Sequence, residues 1–273
     1  MTFERKRELL LACGATHVHR LAPDPAFLAL SARAFFDFLR TTFAPTAIVE
    51  GPDFRFGKAR EGDTALLASL CAQHHIACDI VPPVERTLTD DSIVRASSSL
   101  VRWLVAQGRV ACAARVLGRP HELTGTVVPG DRLGRTLRFP TCNIITQCLL
   151  PGDGVYAGLA HLPTGLSLPA AINLSTRPTV SDRLGSERRL EAHLLRTDAP
   201  DTAGTTPSWS PLPGLPEYHW PIRLELVAFV RESVRLPGLE ALQAQIARDV
   251  ARVPNLLRVH RSLQSPASEA SLV

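Results

Sequence analysis

The sequence predicts an α/β domain followed by a six-stranded antiparallel β-barrel with a C-terminal helix. Three observations carry this expectation. Helical and strand-like stretches alternate through roughly the first hundred residues, short strands with Gly/Pro turns take over from about Leu117, and a helical apolar spacing returns from Leu239. A chain of 273 residues has room for two modest domains. Its 45% hydrophobic and 21% charged residues support a sizeable core and exclude disorder throughout.

In order, the pattern predicts a helix near Phe3–Cys13, a strand near Thr16–Leu21 and a helix around Ser31–Thr42. A strand at Ala47–Glu50 is closed by Gly51-Pro52-Asp53-Phe54-Arg55-Phe56-Gly57, and a helix around Thr64–His74 leads to a strand at Ile76–Val81, as in a parallel sheet. Ser97–Gly108 reads as a helix start followed by helix. Six candidate strands follow at Leu123–Val128, Cys142–Ile145, Gly154–His161, Ala170–Ser175, Arg189–Leu195 and Pro221–Arg231, a spacing expected of a small barrel. The last helix has Leu239, Leu242, Ile246 and Val250 three or four apart, and Pro254 is expected to limit its length. Asp198–Glu217 is rich in Pro, Thr, Gly and Ser and reads as a long surface loop, and Arg261–Val273 as a disordered tail.

The formal charge of +4 is spread along the chain without the dense basic stripe of a nucleic-acid binder, and it suits anionic small molecules. No apolar run is long enough to span a bilayer, and the first eight residues are too charged to open a secretory signal, so a cytoplasmic protein is expected. Six scattered cysteines read as free thiols. Cys71, His74, His75 and Cys78 superficially suggest zinc, but their span is too short to wrap a tetrahedral ion, and no metal is expected there.

The most informative segment runs from Gly125 to Asn143. Gly125, Gly130 and Gly134 let backbone N–H groups approach an anion, and Arg132 or Arg135 could add charge-assisted contacts. Alone, this stretch is a weak phosphate-loop signal and reads first as a pair of β-turns with solvated arginines. Thr141 carries a hydroxyl suited to Mg2+ beside phosphates, and Asn143, two residues on, shares its face if the segment is a strand. By the same alternation Glu191 and His193 share a face.

Together these residues resemble the riboflavin kinase domain, and more fully the bacterial bifunctional riboflavin kinase and FAD synthetase family. The family pattern runs approximately G-x-V-x-x-G-x-x-x-G-R, F-P-T-A-N, L-P-x-x-G-V-Y, N-x-G-x-R-P-T and E-x-H-L-L. The chain meets it at Gly125, Val127, Gly130, Gly134, Arg135, Phe139, Pro140, Thr141, Asn143, Leu150, Pro151, Gly154, Val155, Tyr156, Asn173, Arg177, Pro178, Thr179, Glu191, His193, Leu194 and Leu195. The resemblance implies a Greek-key barrel over 117–260 that binds riboflavin and Mg2+ with ATP and makes FMN and ADP. Thr141 would ligate Mg2+ with the phosphates, Asn143 would support metal and nucleotide, and Glu191 would be the general base. Gly125, Gly130, Gly134, Arg135 and Asn173 would complete the nucleotide and flavin site. Arg138 stands where the pattern has glycine, Cys142 where it has alanine, and Arg196–Gly204 replace an acidic and aromatic segment.

The resemblance extends over 1–116 as an incomplete Rossmann-like nucleotidyltransferase domain. Gly51–Gly57 resembles the G-x-D-F-R-F-G element of FMN adenylyltransferases, and Ser97-Ser98-Ser99-Leu100-Val101-Arg102 their S-S-T-x-I-R triphosphate motif. Ser98, Ser99 and Arg102 at a helix start form an anion site, or else a serine N-cap with an exposed arginine. The family's opening strand with G-x-F-D-G-x-H-x-G-H has no counterpart here, so adenylyl transfer is expected to be negligible. Three readings follow from the resemblance: a riboflavin kinase with an inactive first domain, a complete bifunctional enzyme whose start is misassigned, or a flavin- or nucleotide-binding paralogue without turnover. None involves nucleic acid or a membrane.

Overall fold

A computed structural model of the chain describes residues 1–130, 134, 137–176, 188–195 and 212–264, without the side chains of 261–264. It divides into two compact units, Arg7–Glu85 and Met1–Lys6 with Arg86–Val273.

Helix α1 (Phe3–Ala12) opens the chain, and α2 (Pro25–Leu28), α3 (Ala32–Phe43), strand β1 (Ala47–Glu50), α4 (Thr64–Gln73) and β2 (Ala77–Ile80) follow. Ser31 starts α3 because its hydroxyl accepts the Ala34 N–H at 3.2 Å, and Ala44 ends it in the left-handed region at φ 44°. Asp63 caps α4 in the same way, accepting from Leu66 at 2.9 Å. β1 and β2 pair in parallel, Ala47 opposite Ala77. Phe36, Phe56, Leu67, Leu70 and Cys71 form the core beneath them. Gly57 is required where it stands, since its φ is +76° and a Cβ would come within 2.5 Å of the Ala32 backbone.

Thr16–Leu21 is not a strand: among the described residues it has no ladder partner. Its alternation is real but mostly solvent-exposed, and the His17 and His19 rings stack on each other. Period-two polarity specifies a strand only where a neighbour supplies hydrogen bonds and a core takes one face.

The larger unit carries the short strands β3 (Glu85–Thr87) and β4 (Ile93–Arg95), then α5 (Ser98–Ala106) and α6 (Val110–Leu117). The barrel strands are β5 (His121–Val128), β6 (Cys142–Thr146), β7 (Gly154–His161), β8 (Ser167–Thr176), β9 (Arg188–Leu194) and β10 (Pro221–Arg231), and α7 (Leu239–Gln264) follows them. All six strands pair antiparallel in a closed barrel, order β10-β5-β6-β9-β8-β7. β7, β8 and β9 are successive neighbours and β10 returns beside β7, which is Greek-key connectivity.

Alternation decides which side chains fill the barrel. Ala170, Ile172 and Leu174 on β8, Leu190, Ala192 and Leu194 on β9, and Ile222, Leu224 and Leu226 on β10 form one buried cluster. β7 is buried on both faces, because Val155 and Ala157 pack with Val227 and Val230 under Val253 and Leu257 of α7. An ion pair of Arg231 with the buried Asp249, 2.8 Å, fastens the helix.

Pro254 does not limit α7, which runs on to Gln264. An interior proline costs about 3 kcal/mol, whereas burying Val253 and Leu257 returns about 1.5–3 kcal/mol each, so packing carries the helix through. Within Asp198–Glu217, residues 198–211 lie outside the described residues, as do 265–273 of the expected tail.

Candidate functional site

The sheet register assembles the site on the barrel's outer wall. Asn143 on β6 lies opposite Glu191 on β9, and Glu191 lies opposite Asn173 on β8. Three polar side chains on adjacent strands, roughly 5 Å apart, therefore form one row across the wall. Their neighbours along the chain, Ile144, Leu190, Ala192, Ile172 and Leu174, point inward and anchor the row. Cys142 also packs against that interior, where burial pushes its thiol up to about 11; it faces away from Thr141 and Asn143, as the alternation requires.

Thr141 directly precedes β6 and is exposed at the end of the row. The glycines close over it. A Cβ at Gly130 would overlap the Asn143 amide, and one at Gly134 would overlap the Phe139 carbonyl oxygen and come within 3.3 Å of the Thr141 hydroxyl. Gly130 and Gly134 thus let backbone lie directly on the two side chains expected to meet metal and phosphate. Gly125 serves a different contact. It sits about 10 Å down β5 from Val128, the partner of Asn143, and admits β6, since a Cβ there would meet Ile144 Cγ2 at 2.6 Å.

Thr141, Asn143, Asn173 and Glu191 make no side-chain hydrogen bond or ion pair among the described residues. Asn143, Asn173 and Glu191 are half-buried and Thr141 is exposed, so the row beside the glycine cradle is a candidate ligand site. The donor set is neutral oxygen with a carboxylate one strand away. It fits Mg2+, a hard ion that takes few protein ligands and fills its shell from phosphates and water.

Two supports frame the row. His193, on the Glu191 face of β9, makes a 2.8 Å hydrogen bond from Nδ1 to the Pro140 carbonyl and sets its ring edge-on to Phe139, centroids 5.4 Å apart. Burial pushes this imidazole below its ordinary value, against the smaller upward pull of the Pro140 carbonyl, so it is neutral. At the other end Asp153 accepts from the Thr176 backbone at 2.9 Å and hydroxyl at 2.5 Å, and from Arg188 Nε at 3.0 Å. Arg188 also donates to the Pro151 carbonyl. Burial alone would raise the Asp153 carboxyl, but Thr176 and Arg188 outweigh it and hold it below its ordinary value. Sequence reading missed this clamp, and Asp153 and Arg188, 35 residues apart, carried no signal of their pairing.

A separate cluster lies on α5. Ser97 is the N-cap, accepting from Leu100 at 3.1 Å, and Arg102 donates to Ser98 at 3.1 Å and approaches Ser99 at 3.5 Å. All three serines and Arg102 are exposed. The structure thus brings the serines and the arginine together at a helix N-terminus, the geometry common to both sequence readings. Arg132, Arg135, Arg177, Pro178 and Thr179 lie outside the described residues. Among the described residues no group of three His, Cys, Asp or Glu side chains could hold a metal ion, and the Cys71 thiol, facing Cys78, is pushed to about 11 by burial.

A closed antiparallel barrel with a glycine-walled polar row on its outside, in a chain that also carries an α/β unit, defines the class of fold. Comparison with known proteins makes this specific. A riboflavin kinase family model matches residues 117–257, and an FAD synthetase model matches residues 1–96. The chain is 36% identical over 250 residues to the bifunctional riboflavin kinase/FMN adenylyltransferase of Escherichia coli K12, covering 89% of this chain and 71% of that protein. It is 31% identical over 240 residues to the namesake protein of Pseudomonas fluorescens, covering 87% and 70%. A crystal structure described as a macrolide-efflux protein from Streptococcus pneumoniae superposes with a TM-score of 0.74 at 22% identity, covering 93% of this chain and 75% of that one, a likeness of fold. The chain belongs to the bifunctional riboflavin kinase/FAD synthetase family.

Proposed function

We propose that the barrel is an ATP-dependent riboflavin kinase, making FMN and ADP. The observation that carries this is the uncommitted row Asn143–Glu191–Asn173, with Thr141 beside it under Gly130 and Gly134. An unactivated primary alcohol needs an acceptor for its proton as it attacks the γ-phosphorus. Glu191, with no cation tied to it among the described residues, takes that proton while the bond to ADP breaks. Thr141 and Asn143 would hold Mg2+ with the phosphates, and the metal would neutralise charge on the transferring group. Gly130 and Gly134 bring backbone dipoles to the phosphates, and Arg135 adds a charge-assisted contact. Asn173, on the far side of Glu191, orients the ribityl hydroxyl. The kinase domain in this reading is 117–260.

Ser97, Ser98, Ser99 and Arg102 are the residual triphosphate site of the other half. FMN adenylyl transfer by that half, which an FAD synthetase model matches over residues 1–96, is read in the same assay as the kinase.

Incubation with riboflavin, ATP and Mg2+, followed by chromatography of riboflavin, FMN and FAD, tests both assignments. FMN is expected, and Glu191→Gln should abolish it while ATP binding survives. A fully active Glu191→Gln protein overturns the base, FAD in the products shows adenylyl transfer by the other half, and tight flavin binding without ATP consumption points to the paralogue.

A further inference from the structure

β6 begins at Cys142, whose partner on β9 is Ala192, and the ladder ends there. Continuing the register by one step puts Thr141 at the level of His193, so Thr141 and Asn143 stand beside His193 and Glu191 respectively. Backbone pairing cannot carry the chain further, because Pro140 has no N–H to donate. The His193 side chain takes over, with its 2.8 Å bond from Nδ1 to the Pro140 carbonyl and its ring against Phe139. The acceptor is a carbonyl, so Nδ1 bears the proton. The same Phe139 carbonyl lies under Gly134. One imidazole thus holds the short segment that sets the Thr141 hydroxyl and the floor of the glycine cradle.

We propose that His193 is a positioning residue for the nucleotide subsite, tethering Phe139–Pro140 so that the Thr141 hydroxyl faces the phosphates. The inference rests on the kinase reading. It differs from a packing role in being one-sided: His193 acts on the phosphate end of the row and leaves the Asn173 end alone. Losing the donor weakens Mg·ATP, while riboflavin binding and the proton acceptor are spared.

The test compares the whole protein with His193→Phe, which keeps a ring on Phe139 and loses the donor, and with His193→Asn, whose amide nitrogen replaces Nδ1. Steady-state kinetics are measured with each substrate varied, with calorimetric binding of a non-hydrolysable imido analogue of ATP with Mg2+ and a melting curve for each variant. A support behind a metal ligand is typically worth 10–100-fold. His193→Phe should therefore raise KM for Mg·ATP at least tenfold and weaken the analogue in parallel, with KM for riboflavin within twofold. His193→Asn should restore both nucleotide values to within about threefold.

Unchanged nucleotide values in a folded His193→Phe protein overturn the proposal, as does an equal rise in both KM values. Should His193→Phe fail to fold, the asparagine variant decides: nucleotide binding near the parent's supports the tether, and a tenfold loss overturns it. A parent that binds neither the analogue nor riboflavin and makes no FMN overturns the kinase reading and this inference together. An active parent with an indifferent His193 overturns this inference alone.

Discussion

Arg138 shows at the scale of one residue how a departure from a pattern becomes a backbone fact. Its φ is +64°, in the left-handed region where a side chain costs roughly 1–2 kcal/mol, and it is followed directly by the Phe139–Pro140–Thr141 stretch. Glycine at this position removes the strain. Arg138→Gly should raise stability by about 1 kcal/mol, read as a melting temperature a few degrees higher; an unchanged or lower melting temperature would show the turn to be relaxed with arginine. Gly130 makes the opposite prediction. Gly130→Ala forces the new methyl onto the Asn143 amide, so the protein should stay folded while turnover with ATP falls at least tenfold, checked by kinetics beside a melting curve. Placement was legible where alternation decides it: Asn143 and Glu191 face each other across β6 and β9, and Thr141 directly precedes β6. The binding partner of His193 was not legible, because a side chain reaching a carbonyl 53 residues away leaves no periodic trace.

Elements were legible in proportion to how far local pattern decides them. β1, β7 and β10 occupy the predicted spans, β10 because it alternates against a core that neighbours complete and β7 because it is apolar along its length and buried on both faces. Thr16–Leu21 shows the same pattern without a neighbour and stays irregular, and α7 ignores its proline because buried side chains around it outweigh the lost bond. The Asp153 clamp belongs to this scale, since it ties the last residue of β8 and the first of β9 to the loop before β7. Its carboxyl is held below its ordinary value, so the stability it contributes is present above about pH 4 and is lost as pH falls through the lower, folded-state value. Asp153→Asn should cost on the order of 1 kcal/mol at neutral pH, solvent screening the partly exposed ion pair, and the gap in melting temperature between parent and variant should narrow below about pH 4. A gap that stays constant with pH would assign the contribution to shape rather than charge.

For the whole molecule, the class of fold was readable because six strands with regular turns and a flanking helix leave few closed arrangements. The Greek-key connectivity came from the resemblance and the order of strands from the structure, since alternation does not say which edges meet. The closure also sets a sequence of events during synthesis. Strand β10 pairs with both β5 and β7, and Arg5 near the start of the chain reaches Glu122 of β5 at 2.7 Å. A growing chain that has made β5 to β9 therefore holds two unpaired strand edges until Arg231 has been added, and its earliest residues wait for a partner made more than a hundred residues later. Any delay between the emergence of β9 and that of β10 prolongs the exposed interval, so the rate at which the last strand is delivered bears on aggregation.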